Sequence, residues 1–380
     1  MCKILNLQNS RYFVKIGNMN KLTDSQIEDF QIQLLNWYDI NKKPLPWRKT
    51  KAPYQIWISE IMAQQTQVET VIPYYERFMT KYPTVESLAQ ADDAELLKMW
   101  EGLGYYSRVR NLKLAAQQMI RDFDGQFPSD LTDILSLKGI GPYTAAAIAS
   151  ISFNLAEPAI DGNLMRVTSR LFELDSDISK SNARKSFDEV LRPLISSERP
   201  GDFNQALMDI GSQICTPKIA RCEICPLNQY CQAYKEGTQL NFPVKTKKIK
   251  QTEHFFAAFA AQNSLGEWYL EKRPEQGLLA DMWLFPMTEL TKAEFNQAST
   301  DGTSKRPKIS ESIGKINFVS NYKHVFSHQK WNIALFSCQI EEKFEVSELL
   351  LDENKKWIKD LSQIPLAGPQ VKLFEILNKN

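Results

Sequence analysis

The sequence has no long hydrophobic run, few histidines and little net charge. None of its 380 residues lies in an uninterrupted apolar stretch of about 18, so a membrane-spanning helix is not expected. The start, MCKILNLQNSRYFVKIGNM, has no continuous apolar core followed by a small-residue cleavage site, so we expect a cytoplasmic rather than a secreted protein. Six cysteines in a reducing compartment argue against a disulfide framework. A net charge of +1 does not by itself indicate a nucleic-acid partner.

Length and periodicity predict two domains joined by a linker. A hydrophobic fraction of 43% over 380 residues is sufficient for two ordinary cores. After an N-terminal extension over residues 1–20, helical spacing of apolar residues predicts a mostly α domain over 21–235. Four lysines and a proline mark a linker over 236–252. Short, aromatic-rich segments then predict an α+β domain over 253–380.

Two segments carry positive charge without any carboxylate. Residues 40–59 contain five lysines and arginines, and residues 102–121 contain four, among them Arg108. Such faces suit contact with phosphates. A solvated helix face is the more ordinary interpretation of either segment alone.

Four of the six cysteines lie within seventeen positions of one another. Cys215, Cys222, Cys225 and Cys231 are spaced C-x6-C-x2-C-x5-C. Structural zinc usually takes two C-x-x-C pairs, whereas one such pair is present here. A compact four-cysteine loop suits a [4Fe–4S] cluster, which needs one thiolate for each iron. The spacing therefore favours iron–sulfur and leaves zinc open.

The segment LKGIGPYTAAAIASISF, residues 137–153, predicts a tight turn that begins a helix. Gly139 and Gly141 permit the turn, and Pro142 suits the first helical position. Backbone N–H groups at such a helix start can bind a phosphate. A glycine turn between helices is often only a turn, so the small-residue helix after it and the cysteine loop further on give this segment its significance.

Seven motifs in one order give the sequence a resemblance to a known family. They are LPWR (45–48), WISEIMAQQTQV (57–68), GLGYYSR (102–108), GIGPYTA (139–145), IDGN (160–163), the cysteine loop (215–231) and KHVFSH (323–328). Together they resemble the helix-hairpin-helix DNA glycosylases with an iron–sulfur loop, and among these the adenine DNA glycosylases of the MutY family. The resemblance implies a two-lobed helical domain with a [4Fe–4S] cluster on the four cysteines. It also implies a Nudix-like C-terminal domain that recognises the lesion.

The resemblance further implies the catalytic residues. Cleavage of an N-glycosidic bond needs a proton on the departing base and stabilisation of a cationic sugar, which two carboxylates can provide. By resemblance Glu60 protonates adenine and activates water, Asp161 stabilises the sugar, Asn163 orients Asp161, and Arg48 lines the adenine pocket. Tyr143 stands where strand-cutting relatives have a lysine nucleophile, so the resemblance implies base removal with little strand cleavage. From the residues alone, Glu60 is typical of an exposed helical glutamate and Asn163 of a helix cap.

Other motif residues are implied to bind DNA. Chemistry on a base within a duplex requires the nucleotide to flip out, and inserted side chains fill the gap. By resemblance Gln65 and Tyr105 enter the base stack. Phe326, Ser327 and His328 form the motif that recognises 8-oxoguanine opposite the adenine.

The expected partner is double-stranded DNA with adenine opposite 8-oxoguanine or guanine, bound by a monomer without membrane contact. The C-terminal segment lacks the R-E-x-x-E-E pattern of a Nudix box, so diphosphate hydrolysis is not expected. Two alternatives stay open. One is an endonuclease III-like glycosylase-lyase for oxidised pyrimidines, which Tyr143 and the second domain oppose. The other is a damage-binding protein without catalysis, which the presence of both Glu60 and Asp161 opposes.

Overall fold

The computed structural model describes residues 22–246, 251–301, 313–340 and 353–379. The predicted N-terminal extension, residues 1–20, lies outside the described residues, as do residues 247–250 of the predicted linker. The α-helices, numbered α1 to α14, are Asp24–Asn41, Pro53–Ala63, Val68–Lys81, Val85–Ala89, Asp93–Met99, Ser107–Asp122, Leu131–Ser136, Pro142–Phe153, Gly162–Phe172, Ala183–Leu191, Pro200–Gln213, Gln232–Glu236, Lys292–Asp301 and Gly368–Leu377. The strands, β1 to β7, are Thr252–Gln262, Trp268–Lys272, Trp283–Leu284, Met287–Leu290, Ile313–Val325, Gln329–Ile340 and Lys355–Ile358.

The described chain forms two compact units. Residues 22–43 and 154–245 belong to the first, which we call the aspartate unit because it contains Asp161. Residues 44–153 and those from 246 onward belong to the second, which we call the glutamate unit because it contains Glu60. The helices of residues 44–153 therefore share a unit with the C-terminal sheet. The predicted boundaries instead group these helices with the rest of residues 21–235.

The aspartate unit is helical. Its core is formed by apolar side chains of α1, α9, α10 and α11, including the fully buried Phe30, Leu164, Phe187 and Phe203. Helix α1 begins with the capping box that the sequence contains: the Thr23 hydroxyl accepts a hydrogen bond from Gln26 N, and the Gln26 side chain accepts one from Thr23 N.

In the glutamate unit, α2 packs against α8. The alanines of α8 between 145 and 149 are almost completely buried. Their small side chains let α8 and α2 approach closely. Helix α8 begins directly after the glycine turn, with Pro142 as its first residue. This packing places the start of α8 beside α2, the helix that carries Glu60.

The sheet of the glutamate unit has the order β3-β2-β1-β6-β5, with β4 also paired to β1 and β7 to β2. Strands β1 and β6 run parallel from Thr252 opposite Gln329 to Gln262 opposite Gln339. Strands β5 and β6 are antiparallel, and the turn between them contains Phe326, Ser327 and His328. Helices α1 to α12 end at Glu236, and the strands, with α13 and α14 among them, begin at Thr252, which confirms the predicted change from α to α+β structure. No described helix combines the length and hydropathy needed to cross a membrane.

Candidate active site

Glu60 and Tyr143 meet at the contact between α2 and α8. The Tyr143 hydroxyl donates a hydrogen bond to Glu60 Oε2 over 2.6 Å, and both side chains are half-buried. Around Glu60, α2 is apolar and Trp57, Ile58, Ile61 and Met62 are buried. The Glu60 carboxyl group thus lies on an apolar helix and is held by the phenol of Tyr143 at the start of α8.

Replacement of Tyr143 by phenylalanine is expected to slow base removal about tenfold, because a hydrogen bond to an ionisable group is worth about 1.5–3 kcal/mol. Single-turnover kinetics would measure the change. Tyr54→Phe is the matched control: it removes a tyrosine hydroxyl of α2, which donates to Tyr82 O over 2.7 Å, and should affect stability rather than rate. Equal rates for wild type and Tyr143→Phe would contradict a role for this contact.

The glycine turn before α8 has the backbone that its sequence predicts. Gly139 has φ +77°, and a Cβ at this position would lie 2.6 Å from Cβ of Asn111. Both features require glycine. Gly141, two residues later, has open space around its Cα and no left-handed φ.

Gly139→Ala is therefore expected to destabilise the protein by about 2 kcal/mol through backbone strain and the clash with Asn111. Gly141→Ala, in the same motif, should change the free energy of unfolding by less than about 0.5 kcal/mol. Urea unfolding of both variants measures the difference. Similar values for the two substitutions would show that the turn does not depend on Gly139.

Gln65 and Tyr105, which we call the wedge residues, lie side by side. Each has a left-handed backbone, with φ 56° and 48° respectively, which is uncommon for residues other than glycine. The Tyr105 hydroxyl donates a hydrogen bond to Gln65 Oε1 over 2.5 Å, and 44% of Tyr105 is exposed. A cleft of about 280 Å³ adjoins both residues and reaches Lys138 and Gly139 at the glycine turn. The wedge residues and the glycine turn thus border one open cleft.

The turn between β5 and β6 presents Ser327. Phe326 N donates to Gln329 O over 2.8 Å, and the Phe326 ring packs edge-on against His324 and Trp331. His328 is exposed, and its carbonyl accepts a hydrogen bond from Thr252 N over 3.0 Å. The Ser327 and Tyr105 hydroxyls are hydrogen-bonded to each other. The structure therefore brings the predicted lesion-recognition turn to a wedge residue.

The two arginines singled out near these motifs lie in different surroundings. Arg48 is half-buried in a 3₁₀ turn, Pro46–Lys49, whose Trp47 packs edge-on against Tyr75. Arg108 was predicted to lie on a phosphate-binding or solvated face. That prediction was wrong, because Arg108 is only 8% exposed and donates hydrogen bonds to main-chain carbonyls.

Asp161 is the N-cap of α9. Its Oδ1 accepts a hydrogen bond from Leu164 N over 2.7 Å, and its Oδ2 accepts one from Asn163 Nδ2 over 2.9 Å. Asn163 lies inside the helix, so the cap that its position suggested is provided by Asp161 instead. Burial raises the pKa of Asp161 above its usual value, although the hydrogen bonds and Arg166 oppose the shift.

Asn163 is itself held by α11 and by Arg166. The Arg166 Nη2 donates to Asn163 Oδ1 over 2.9 Å and to Gly211 O over 2.7 Å. A Cβ at Gly211 would lie 2.8 Å from Cβ of Asn163, so glycine is needed for this approach. Arg166 Nε also donates to Cys215 O over 2.8 Å. Hydrogen bonds therefore connect the Asp161 carboxylate with the first residue of the cysteine loop.

The four cysteines of the loop line one cavity in the aspartate unit. Cys231 is buried and the other three are half-buried, and Arg170 Nη1 lies 3.2 Å from Cys215 Sγ. Burial raises the pKa of Cys225 to about 12 and that of Cys231 to about 11. Among the described residues, no three Cys, His, Asp or Glu side chains converge closely enough to hold a single metal ion. The thiols surround a space rather than meeting at one point.

Comparison with known proteins assigns both parts of the chain. Residues 58–193 match the HhH-GPD superfamily of base excision DNA repair proteins, and residues 257–375 match the NUDIX domain. The first match includes Glu60, the glycine turn and Asp161. In this part the chain is therefore similar to the base excision DNA repair proteins of the HhH-GPD superfamily.

Several curated relatives of this chain are adenine DNA glycosylases. The chain is 33% identical over 91% of its length to the adenine DNA glycosylase of Buchnera aphidicola subsp. Schizaphis graminum, of which it covers 98%. It is 36% identical over 71% of its length to that of Arabidopsis thaliana, of which it covers 49%, about half. The chain belongs to the adenine DNA glycosylase family, a family of hydrolytic DNA N-glycosylases.

A solved DNA glycosylase structure is similar to the helical part of this chain. That of a thermostable thymine-DNA glycosylase is 28% identical, has a TM-score of 0.50, and is matched over 56% of this chain and 100% of its own. The predicted fold class, a mostly helical glycosylase domain followed by a Nudix-like α+β domain, is confirmed.

Proposed function

We propose that this protein hydrolyses the N-glycosidic bond of adenine paired with 8-oxoguanine or guanine in DNA and leaves an abasic site without cutting the strand. The observation that carries the proposal is the 2.6 Å hydrogen bond from Tyr143 to Glu60. It fixes a carboxyl group at the position where the family motif has its acid. Membership of the adenine DNA glycosylase family supports adenine as the base that is removed.

Glu60 supplies the proton in this mechanism. In its protonated form it donates to a ring nitrogen of adenine, which makes the base a better leaving group. After the bond breaks, the carboxylate accepts a proton from the attacking water. The Tyr143 hydroxyl donates a hydrogen bond to Oε2 of Glu60 and so fixes the orientation of the carboxyl group. The other oxygen, Oε1, is thereby also held in one orientation.

Asp161 stabilises the positive charge that develops on the sugar. Asn163 Nδ2 and Leu164 N fix its two oxygens, so the carboxylate needs no reorientation during the reaction. The aspartate unit provides this group and the glutamate unit provides Glu60. We propose that both act on one nucleotide.

The wedge residues and the β5–β6 turn account for base flipping and for recognition of the opposite base. Gln65 and Tyr105 fill the gap that the extruded adenine leaves. Ser327 presents a hydroxyl that can hydrogen-bond an altered guanine edge, and Phe326 and His328 flank it. Arg48 contributes to the adenine pocket.

Tyr143 also supports a hydrolase without strand cleavage. A lyase needs an amine that forms an imine with the sugar, and a phenol cannot do so. The nearby Lys138 is exposed and precedes the turn, where contact with a phosphate is the simpler role.

The cysteine loop fits a [4Fe–4S] cluster. All four thiols line one cavity, and their C-x6-C-x2-C-x5-C spacing suits a cluster with one thiolate for each iron better than the paired C-x-x-C spacing of structural zinc. Cys215, Cys222, Cys225 and Cys231 would hold the group. When bound, it would supply a rigid structural centre for the loop, on which Lys218 and Arg221 can face DNA phosphates.

The function is tested with a duplex that contains one adenine opposite 8-oxoguanine. We expect breaks at the adenine only after alkali treatment, and no covalent adduct with borohydride. Breaks without alkali would indicate the lyase alternative, and binding without breaks would indicate a damage-binding protein. A matched duplex with thymine in place of the adenine should remain intact.

The cluster is tested on protein purified without oxygen. We expect a brown protein with visible absorbance, and iron and sulfide in roughly one-to-one ratio with the thiolates of the loop. Cys222→Ser should lower the iron content. Cys338→Ser, which removes a buried thiol of β6, should not. A colourless, zinc-containing protein would contradict the proposal.

A further inference from the structure

Arg108 is a buried arginine on the first turn of α6 whose side chain binds main-chain carbonyls of two separate segments. Its Nη1 donates to three carbonyls at the end of α2, those of Ile61 at 2.7 Å, Met62 at 3.1 Å and Gln64 at 2.8 Å. Its Nη2 donates to two carbonyls of the loop before α6, those of Leu103 at 3.0 Å and Gly104 at 3.1 Å. One planar side chain therefore joins two loops that are about 40 residues apart in sequence.

Each segment that Arg108 binds leads directly into a wedge residue. The Gln64 carbonyl precedes Gln65, and the Gly104 carbonyl precedes Tyr105. Both wedge residues have a left-handed backbone. This conformation costs of order 1 kcal/mol or more and persists only where the surrounding structure holds it. Arg108 fixes the peptide group on the N-terminal side of each.

The charge of Arg108 is accounted for by these carbonyls. A cation on the first turn of a helix is disfavoured by the helix dipole, whereas carbonyls at a helix C-terminus attract it. The guanidinium also lies 5.3 Å from the Trp100 ring and 5.6 Å from the Tyr105 ring. Burial lowers the pKa of Arg108 to about 10, so the side chain remains charged at neutral pH. It is too buried to serve as a phosphate contact.

We propose that Arg108 is the positioning residue of the DNA wedge: it holds Gln65 and Tyr105 together in the conformations from which they enter the base stack. The proposal rests on the proposed function, in which these two side chains fill the gap left by adenine. Lysine cannot replace Arg108, since a single ammonium lacks the planar fork that reaches both segments.

The test measures base flipping in Arg108→Lys. In the Glu60→Gln background, which leaves the base attached, 2-aminopurine replaces the adenine opposite 8-oxoguanine, and its fluorescence is recorded at saturating protein. We expect the fluorescence gain to fall at least about fivefold with Arg108→Lys, a loss within the range of one buried hydrogen-bonded group. Arg121→Lys, at the exposed end of the same helix, is the control and should keep the full gain.

A double-mutant cycle separates wedge positioning from general stability. Arg108→Lys should slow single-turnover excision about tenfold in the wild-type chain, but less than about twofold when Gln65 and Tyr105 are already alanine. Equal losses in both backgrounds would overturn the proposal. So would an unchanged fluorescence gain accompanied only by a lower melting temperature.

Two further outcomes are distinguishable. If Arg108→Lys and Arg108→Gln both fail to fold while Arg121→Lys folds, the role of Arg108 is general folding and the proposal is wrong. If the parent Glu60→Gln protein itself gives no fluorescence gain with this duplex, the proposed function has failed rather than the assignment of Arg108.

Discussion

Glu60→Gln is expected to lower the single-turnover rate of adenine release by at least about a hundredfold, the lower range for a general acid–base. The amide has the size of the carboxylic acid and still accepts the hydrogen bond from Tyr143, so α2 and α8 should pack as before. It has no acidic proton for the base and cannot activate water. The loss should therefore appear in the chemical step and not in DNA affinity.

The measurement is rapid-quench kinetics with protein in excess over DNA, together with a binding titration on the same duplex. Glu76→Gln, an exposed glutamate of the next helix, is the matched control and should keep the wild-type rate. A Glu60→Gln protein that excises adenine at the wild-type rate would remove Glu60 from the mechanism. A parallel loss of binding would mean that the substitution disturbs the DNA surface.

Asp161→Asn is expected to lower the excision rate about 100- to 1,000-fold, the range for removal of one preorganised electrostatic group. Asparagine is as good an N-cap as aspartate, so α9 should keep its first turn. The substitution thus removes charge while retaining the cap. Asp130→Asn makes the same change at the exposed N-cap of α7, which accepts a hydrogen bond from Thr132 N, and should leave the rate unchanged.

The same substitution should increase stability at neutral pH. Because burial raises the pKa of Asp161 in the folded protein, the fold favours the protonated form, and this contribution to stability is lost as pH rises through the raised pKa. Asparagine carries no charge at any pH. Asp161→Asn should therefore be more stable than wild type at pH 7, and the gap should narrow as pH falls toward 3.8, the ordinary value for aspartate. Urea midpoints at several pH values measure it, and a constant gap would contradict the burial cost.

Local signals in the sequence predicted much of the fold. The Thr23 capping box and the glycine turn appear where the sequence places them, because each depends on neighbouring residues alone. The change from helices to strands after residue 236 also followed from local periodicity. The family resemblance singled out both Glu60 and Tyr143, and in the structure the Tyr143 hydroxyl donates a hydrogen bond to Glu60.

Features that depend on tertiary contacts were not predicted. Arg108 lies in a segment without carboxylates, which is typical of a phosphate-binding face, yet its partners are carbonyls. Main-chain acceptors leave no signal in side-chain composition. The link from Asn163 through Arg166 to Cys215 joins three distant segments, and no spacing rule connects them.

The proposed mechanism requires Glu60 and Asp161 to act on the same adenine nucleotide, and a complex with uncleavable DNA tests this most directly. The duplex would carry 2′-fluoro-2′-deoxyadenosine opposite 8-oxoguanine, because the fluorine destabilises the sugar cation and preserves the bond. We expect an extruded adenine with the Glu60 carboxyl about 3 Å from a ring nitrogen and the Asp161 carboxylate against the sugar. A complex in which the adenine is bound but only one of the two carboxylates reaches the nucleotide would contradict it.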